Sequence, residues 1–220
     1  CFGMMQSEGV KPNPLTYVCA LKACGSIGAR NKGEDIYAEI QAKGLFGVNI
    51  FLSSALVDMY ISFGFVQKAK EVFEELVERD VVSWNVLIAG YAQHGLVNRV
   101  FVTFSKMIAN NIVPDGITFV VLLSACSHGG YVDEGWFFFH YMQYAHDLTP
   151  SSDHYNCMID LFGRADHINM AMALIEKMPL HPDIAVWHTL LGACQNLKKM
   201  DFGKLAFEHA IRMDENSVAA

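Results

Sequence analysis

Residues 81–115 read VVSWNVLIAGYAQHGLVNRVFVTFSKMIANNIVPD, and the reading of this stretch decides the fold. Trp84, Leu87, Ile88 and Tyr91 recur at i, i+3, i+4 and i+7, which predicts one buried face of a helix from about Ser83 to Gln93. Gly95 supplies a residue that tolerates positive φ, so the helix can end there cheaply. Phe101, Phe104, Met107 and Ile108 form the apolar stripe of a second helix, from about Asn98 to Ala109. Pro114 forbids its continuation, and Asp115 closes the unit just before the next helix.

Working outward from Trp84, the same pattern recurs at Tyr17, Ser53, Phe119, Tyr155 and Trp187. That register divides the chain into units 14–49, 50–80, 81–115, 116–151, 152–183 and a last one from 184, with 1–13 as the end of an incomplete earlier unit. Three columns test the alignment. The fifteenth positions are Gly28, Gly64, Gly95, Gly130, Asp166 and Lys198. Glycine suits a turn with φ > 0 and aspartate tolerates it; lysine does not, so the turn at Lys198 is expected to differ. The twentieth positions are Gly33, Ala69, Val100, Gly135, Ala171 and Gly203, mostly small, which predicts close approach of the paired helices. The eleventh positions are Cys24, Tyr60, Tyr91, Cys126, Phe162 and Cys194, which explains three of the six cysteines as small core residues. A helical hairpin cannot bury its apolar face alone, so the expected fold is an all-α solenoid of stacked hairpins.

Composition narrows the functional classes. Hydrophobic residues make up 52% and charged residues 18%, as expected where helices are buried on more than one side. The apolar run 117–126 is too short to span a bilayer, and no membrane partner is expected. The cysteines form no CxxC pair and no zinc-type spacing, so neither a metal nor another cofactor is expected. The net charge of −7 counts against nonspecific nucleic-acid binding, which needs a basic footprint. The ends of the chain read as those of a fragment of something longer.

These residues resemble the pentatricopeptide repeat family, in its plant PLS subclass of alternating long, short and standard repeats. ALVDMYISFGFVQKAKEVFEELVERD (55–80) is similar to the short repeat and VSWNVLIAGYAQHG (82–95) to the standard one. ITFVVLLSACSHGGYVDEG (117–135) resembles the final long repeat, and HYNCMIDLFGRADHINMAMALIEKMPLHPD (154–183) the final short repeat. VWHTLLGACQN (186–196) resembles the start of an E-type extension, so 184–220 is expected to be its truncated beginning.

The resemblance implies a right-handed superhelix that binds single-stranded RNA in a mitochondrion or chloroplast. There it would specify a site of cytidine-to-uridine editing, with an editing deaminase or accessory factor acting in trans. Each repeat is expected to read about one base through its fifth and last residues. Those pairs are Val18 with Asn49, Ser54 with Asp80, Asn85 with Asp115, Val120 with Ser151, and Asn156 with Asp183. The implied preference is a pyrimidine for Asn85/Asp115 and a purine for Ser54/Asp80. Leu15, Phe51, Val82 and Ile117, at second positions, would sandwich bases; Asp153 departs from that apolar pattern. At the thirteenth position, near phosphate in the family, only Arg164 is basic. Asn49, Asp80, Asp115 and Asp183 also each precede a helix, so the same residues read equally as N-caps.

The family's deaminase signature, H-x-E with a CxxC pair, is absent, as are P-loop, GxSxG and HExxH motifs, so no catalytic residue is expected in this segment. His140, His146 and Asp147 read as solvated helix-end residues rather than ligands. The run Trp136-Phe137-Phe138-Phe139 reads either as extra core or as an exposed apolar patch for a partner protein. Recurring polar fifth and last positions favour RNA binding; the acidity favours the alternative, a protein-binding helical scaffold.

Overall fold

The computed structural model describes residues 2–47, 49–179 and 181–218, so Cys1 lies outside it. The described residues are all-α, the expected fold class, with thirteen helices and no strand. A short α1 (Phe2–Ser7) precedes six helix pairs: α2 (Pro14–Ile27) with α3 (Arg30–Ala42), α4 (Ile50–Ser62) with α5 (Val66–Glu74), and α6 (Val81–Gln93) with α7 (Val97–Ala109). Then come α8 (Gly116–Gly129) with α9 (Val132–His146), α10 (Ser152–Arg164) with α11 (Ile168–Glu176), and α12 (Ile184–Leu197) with α13 (Met200–Val218). They form two compact units, one ending at Val113 and one beginning at Pro114.

The two helices of a pair differ in burial, and the difference dictates the stacking. In the first unit α4 lies between α2 and α6 and also packs on α5. Its side chains are accordingly buried nearly all round, from Leu52 to Val57 and from Met59 to Ile61. The partner helix α5 buries only Ala69, Val72 and Phe73, the single stripe of an outer helix. In the second unit α10 lies between α8 and α12, in the same arrangement. Small residues set the approach distances. A Cβ on Gly33 would meet Met59 Sδ at 2.6 Å, and one on Gly135 would collide with Leu161 Cδ2. Both atoms belong to the first helix of the following pair. At Gly33 and Gly135 the tightest contact is therefore with the following hairpin, whereas a Cβ on Gly203 would lie 3.5 Å from Cys194 of its own pair, as the sequence expectation had it.

Each pair reverses at a left-handed residue. Gly28, Gly64, Gly95 and Gly130 have φ of 68°, 79°, 68° and 73°. Asp166 and Lys198 follow at 59° and 56°, so the turn at Lys198 does not differ, contrary to expectation. At every turn the next N–H donates to the carbonyl of the eleventh residue: Ala29 to Cys24, Phe65 to Tyr60, Leu96 to Tyr91, Tyr131 to Cys126, His167 to Phe162 and Lys199 to Cys194, at 2.8–3.0 Å. Cys24, Tyr60, Tyr91, Cys126, Phe162 and Cys194 are all buried, so the turn is tied to the core. Burial also pushes the Cys126 thiol up to about 12, which keeps it an inert packing group. Left-handed φ costs a residue with a Cβ about 1–2 kcal/mol. Lys198→Gly is therefore expected to raise the urea midpoint and Gly95→Ala, in open space at φ +68, to lower it, each by the equivalent of about 1 kcal/mol.

Candidate nucleic-acid interface

The first turns of the first helices are where the candidate residues gather, and capping explains their local geometry. Asn13, Asn49, Asp80, Asp115 and Asp183 accept from the backbone N–H of Thr16, Leu52, Ser83, Thr118 and Val186 at 2.8–3.0 Å. The last residue of each unit is thus the N-cap of the next first helix, replacing one lost backbone partner. The helix accordingly starts at Val81 rather than near Ser83. Capping does not exhaust an ionised carboxylate, which has about four lone-pair sites. Asp183 is committed on both oxygens, because its second accepts from the Ser152 hydroxyl. That hydroxyl, aided by the N–H groups of Val186 and Ala185, holds its carboxyl below the usual range against the opposing effect of burial.

Ser151 is also committed. His154, buried to 3% exposure, bridges it to the preceding first helix. The Nε2 of His154 lies 2.9 Å from the Gly116 carbonyl, which can only accept, so Nε2 carries the proton. Nδ1 then accepts from the Ser151 N–H at 3.1 Å and from its hydroxyl at 2.7 Å.

The fifth residues turn inward. Ser54 and Asn85 are each 7% exposed, while Val18, Val120 and Asn156 are half-buried. Among the described residues, Ser54 Oγ and Asn156 Oδ1 are enclosed without a hydrogen-bond partner. An enclosed polar atom left unpaired carries a desolvation cost, so these two are poised to accept a partner. The second residues behave oppositely: Leu15, Phe51, Val82 and Ile117 are 70%, 68%, 44% and 65% exposed. In the second unit, a groove of about 600 Å³ runs across α8, α10 and α12, with Asn156, Arg164 and His188 in its wall. Arg164 Nε donates to Asp160 at 2.8 Å, and Asp160 also accepts from the Ser127 hydroxyl. The guanidinium is therefore oriented, but half-neutralised. Asn85 belongs to the first unit and Asp115 to the second.

Other sequence expectations resolve on burial. His146 is not solvated: its ring packs 5.5 Å from Phe119 and 5.1 Å from Tyr141, and burial pulls its pKa down. Asp147 is a left-handed helix end rather than a ligand. The aromatic run on α9 splits, with Phe138 and Phe139 buried and Trp136 half-buried against Phe162 at 5.3 Å. Phe137 alone is largely exposed, stacked on Tyr141. No cluster of His, Cys, Asp or Glu that could hold a metal occurs among the described residues. None of their helices is long and apolar enough to cross a membrane. The His154 bridge escaped the sequence reading; its sole signal was a histidine three residues after a serine at a helix start.

The fold has parallels in known proteins. A PPR repeat family model matches residues 79–128, and PPR repeat models match 52–81, 117–145 and 153–181. A mitochondrial pentatricopeptide repeat-containing protein of Arabidopsis thaliana is 34% identical over 99% of this chain and 33% of its own length. A chloroplastic one from the same plant is 38% identical over 94% of this chain and 24% of its own. This chain thus spans about a third or less of either relative. Among solved structures, the maize pentatricopeptide repeat protein PPR10, in complex with an 18-nt psaJ RNA element, is similar with a TM-score of 0.70 at 23% identity. That match covers 80% of this chain and 26% of the other.

His154 generates a pH prediction. Burial lowers its pKa, outweighing the Gly116 carbonyl and Asp153, which raise it. Between the folded value and the unfolded value near 6.5, the unfolded chain binds more protons, so stability rises with pH in that window. The His154 contribution is fully present above about 6.5 and is lost as pH falls towards the folded value. His146 acts in the same direction. His154→Gln is expected to reduce, without abolishing, the acid-side slope of the melting temperature against pH. His154→Ala is expected to cost about 1–3 kcal/mol at neutral pH by removing the buried bridge between the Gly116 carbonyl and Ser151.

Proposed function

This chain belongs to the pentatricopeptide repeat family, and from that premise we propose that it binds single-stranded RNA along the first-helix face of its hairpins. The observation that carries the reading is the register of Leu15, Phe51, Val82 and Ile117. Four successive first helices each keep a large apolar side chain exposed at the same position, in step with inward polar or small fifth residues. Solvent gives no reason for that repetition, whereas unstacked bases do: they can lie against apolar side chains and present their edges to polar ones. The RNA element in the PPR10 complex supports the same use of this fold.

The finer reading is an organellar, PLS-type specificity module for cytidine-to-uridine editing. Its base-selecting residues are Ser54/Asp80, Asn85/Asp115 and Asn156/Asp183, and it hands the target cytidine to a deaminase or accessory factor in trans. The names of relatives, mitochondrial and chloroplastic, support the organellar setting. Ser54 and Asn156 contribute enclosed, unpartnered atoms to the readout. Val18 and Val120 offer none, so their repeats discriminate weakly even though Asn49 and Ser151 are polar. Asp80 reads with the oxygen capacity left over from capping, and Asp115 reads beside its contacts with Thr118. Asp183 and Ser151 must first give up the Ser152 and His154 contacts.

The test is selection from randomised single-stranded RNA with this chain. The expected result is a pyrimidine at the Asn85/Asp115 column and a purine at the Ser54/Asp80 column. Asn85→Thr is expected to change preference at its own column alone, by about three- to tenfold, the worth of one hydrogen bond. The salt slope is expected to be shallow, about −0.7 for the one phosphate neutralised, because Arg164 is the lone basic thirteenth residue. Enrichment indifferent to Asn85→Thr would sink the base-reading role, and no enrichment at all would leave the protein-binding scaffold as the better account.

A further inference from the structure

We propose that the hairpin α12–α13, which follows the last matched PPR repeat, at 153–181, contributes one more base-reading position, and that His188 is its reader. The inference rests on the RNA-binding reading above and extends it by one nucleotide.

Three observations carry it. First, α12 is built as the other first helices are. Asp183 caps it on the Val186 N–H at 3.0 Å, as Asp80 caps α6 on Ser83. It ends on left-handed Lys198, with the Lys199 N–H on the Cys194 carbonyl at 2.9 Å. It packs on α10 as α10 packs on α8. Second, the rotation of α12 is fixed. Trp187, the fourth residue, is 6% exposed and stacks on His209 of α13 with centroids 4.1 Å apart and planes 5° from parallel. In the same place Tyr155 is 7% exposed in α10 and Trp84 is 3% exposed in α6. One residue further turns about 100° around a helix, so His188 points where Asn156 and Asn85 point in theirs. Third, His188 is exposed and forms part of the wall of the same groove as Asn156 and Arg164.

The chemistry suits a nucleobase. A neutral imidazole offers one N–H donor and one acceptor nitrogen, enough for a single hydrogen bond to a base edge. The groove continues from Asn156 to His188 without a break between them. A strand whose base lies on Asn156 therefore brings its next nucleotide against α12, and Arg164 stands beside it for the backbone. A hairpin serving only as a terminal cap would present its polar residues to solvent rather than to this groove.

The experiment repeats the selection from randomised single-stranded RNA with the 220-residue chain, its His188→Ala variant and, as internal control, Asn85→Thr. Wild type is expected to show a base preference at the nucleotide next to the Asn156 column, on the side away from the Asn85 column. His188→Ala is expected to flatten that preference by about three- to tenfold while the Asn85 and Ser54 columns stay as they were. Because His188 is exposed, helicity and melting temperature should be unchanged, and circular dichroism checks this. The proposal is overturned alone if the Asn85 column responds to Asn85→Thr while the next nucleotide shows no preference, or one that His188→Ala leaves intact. A uniform loss of affinity in His188→Ala, without loss of selectivity, also overturns it, because that marks a backbone contact. Absence of selection at every column overturns the RNA-binding reading, and this inference falls with it.

Discussion

The whole architecture depends on one small device, the left-handed turn that closes each hairpin onto a buried carbonyl. Six times, a residue with φ between 56° and 79° reverses the chain, and the next N–H reaches back to the eleventh residue. Because that residue is a core side chain, the turn fixes where the second helix starts relative to the packed face of the first. The rotation of every first helix follows, and with it the direction of the fifth residue. Asp166 and Lys198 occupy the turn without being glycine. The hydrogen bond and the burial of Phe162 and Cys194 together outweigh a strain of about 1–2 kcal/mol at each.

The capping residues show one side chain serving two purposes. Asp80 holds its helix start through one capping contact, which leaves a carboxylate further acceptor sites, while Asp115 accepts from both the N–H and the hydroxyl of Thr118. The two readings of these residues, cap and base selector, are therefore compatible rather than competing. The second unit departs from this economy. Asp183 is tied to Ser152, and Ser151 to a buried histidine that also holds the neighbouring helix. A repeat joint reinforced in this way trades adaptability for fixed spacing.

Charge shapes the same surface. Arg164 is the single basic side chain at its column, and Asp160 already engages it. Binding of a polyanion here must rest on base contacts and stacking more than on counterion release, which makes the acidic composition consistent with a selective rather than an adhesive surface.

Much of this was legible in the chain itself. The apolar spacing of Trp84, Leu87, Ile88 and Tyr91 specifies a helix face, because the 3.6-residue period is a local property, and all four are buried. The recurrence of glycine at the turn announced a hairpin array, because only positive φ explains glycine at that spacing. What local rules do not contain, the tertiary structure decided. Lys198 takes a conformation its own propensity opposes, in a turn whose next N–H bonds the carbonyl of buried Cys194. His146 is half-buried against Phe119 and Tyr141 of its own hairpin, whereas His154 is buried and bridges to Gly116 because a neighbouring hairpin, distant in sequence, packs over it. Gly33 and Gly135 matter for the following hairpin rather than their own, a contact no period within one unit encodes. Period and turn chemistry set the sequence's share, since both act within one hairpin; enclosure, orientation and pairing arise only when one hairpin packs against the next.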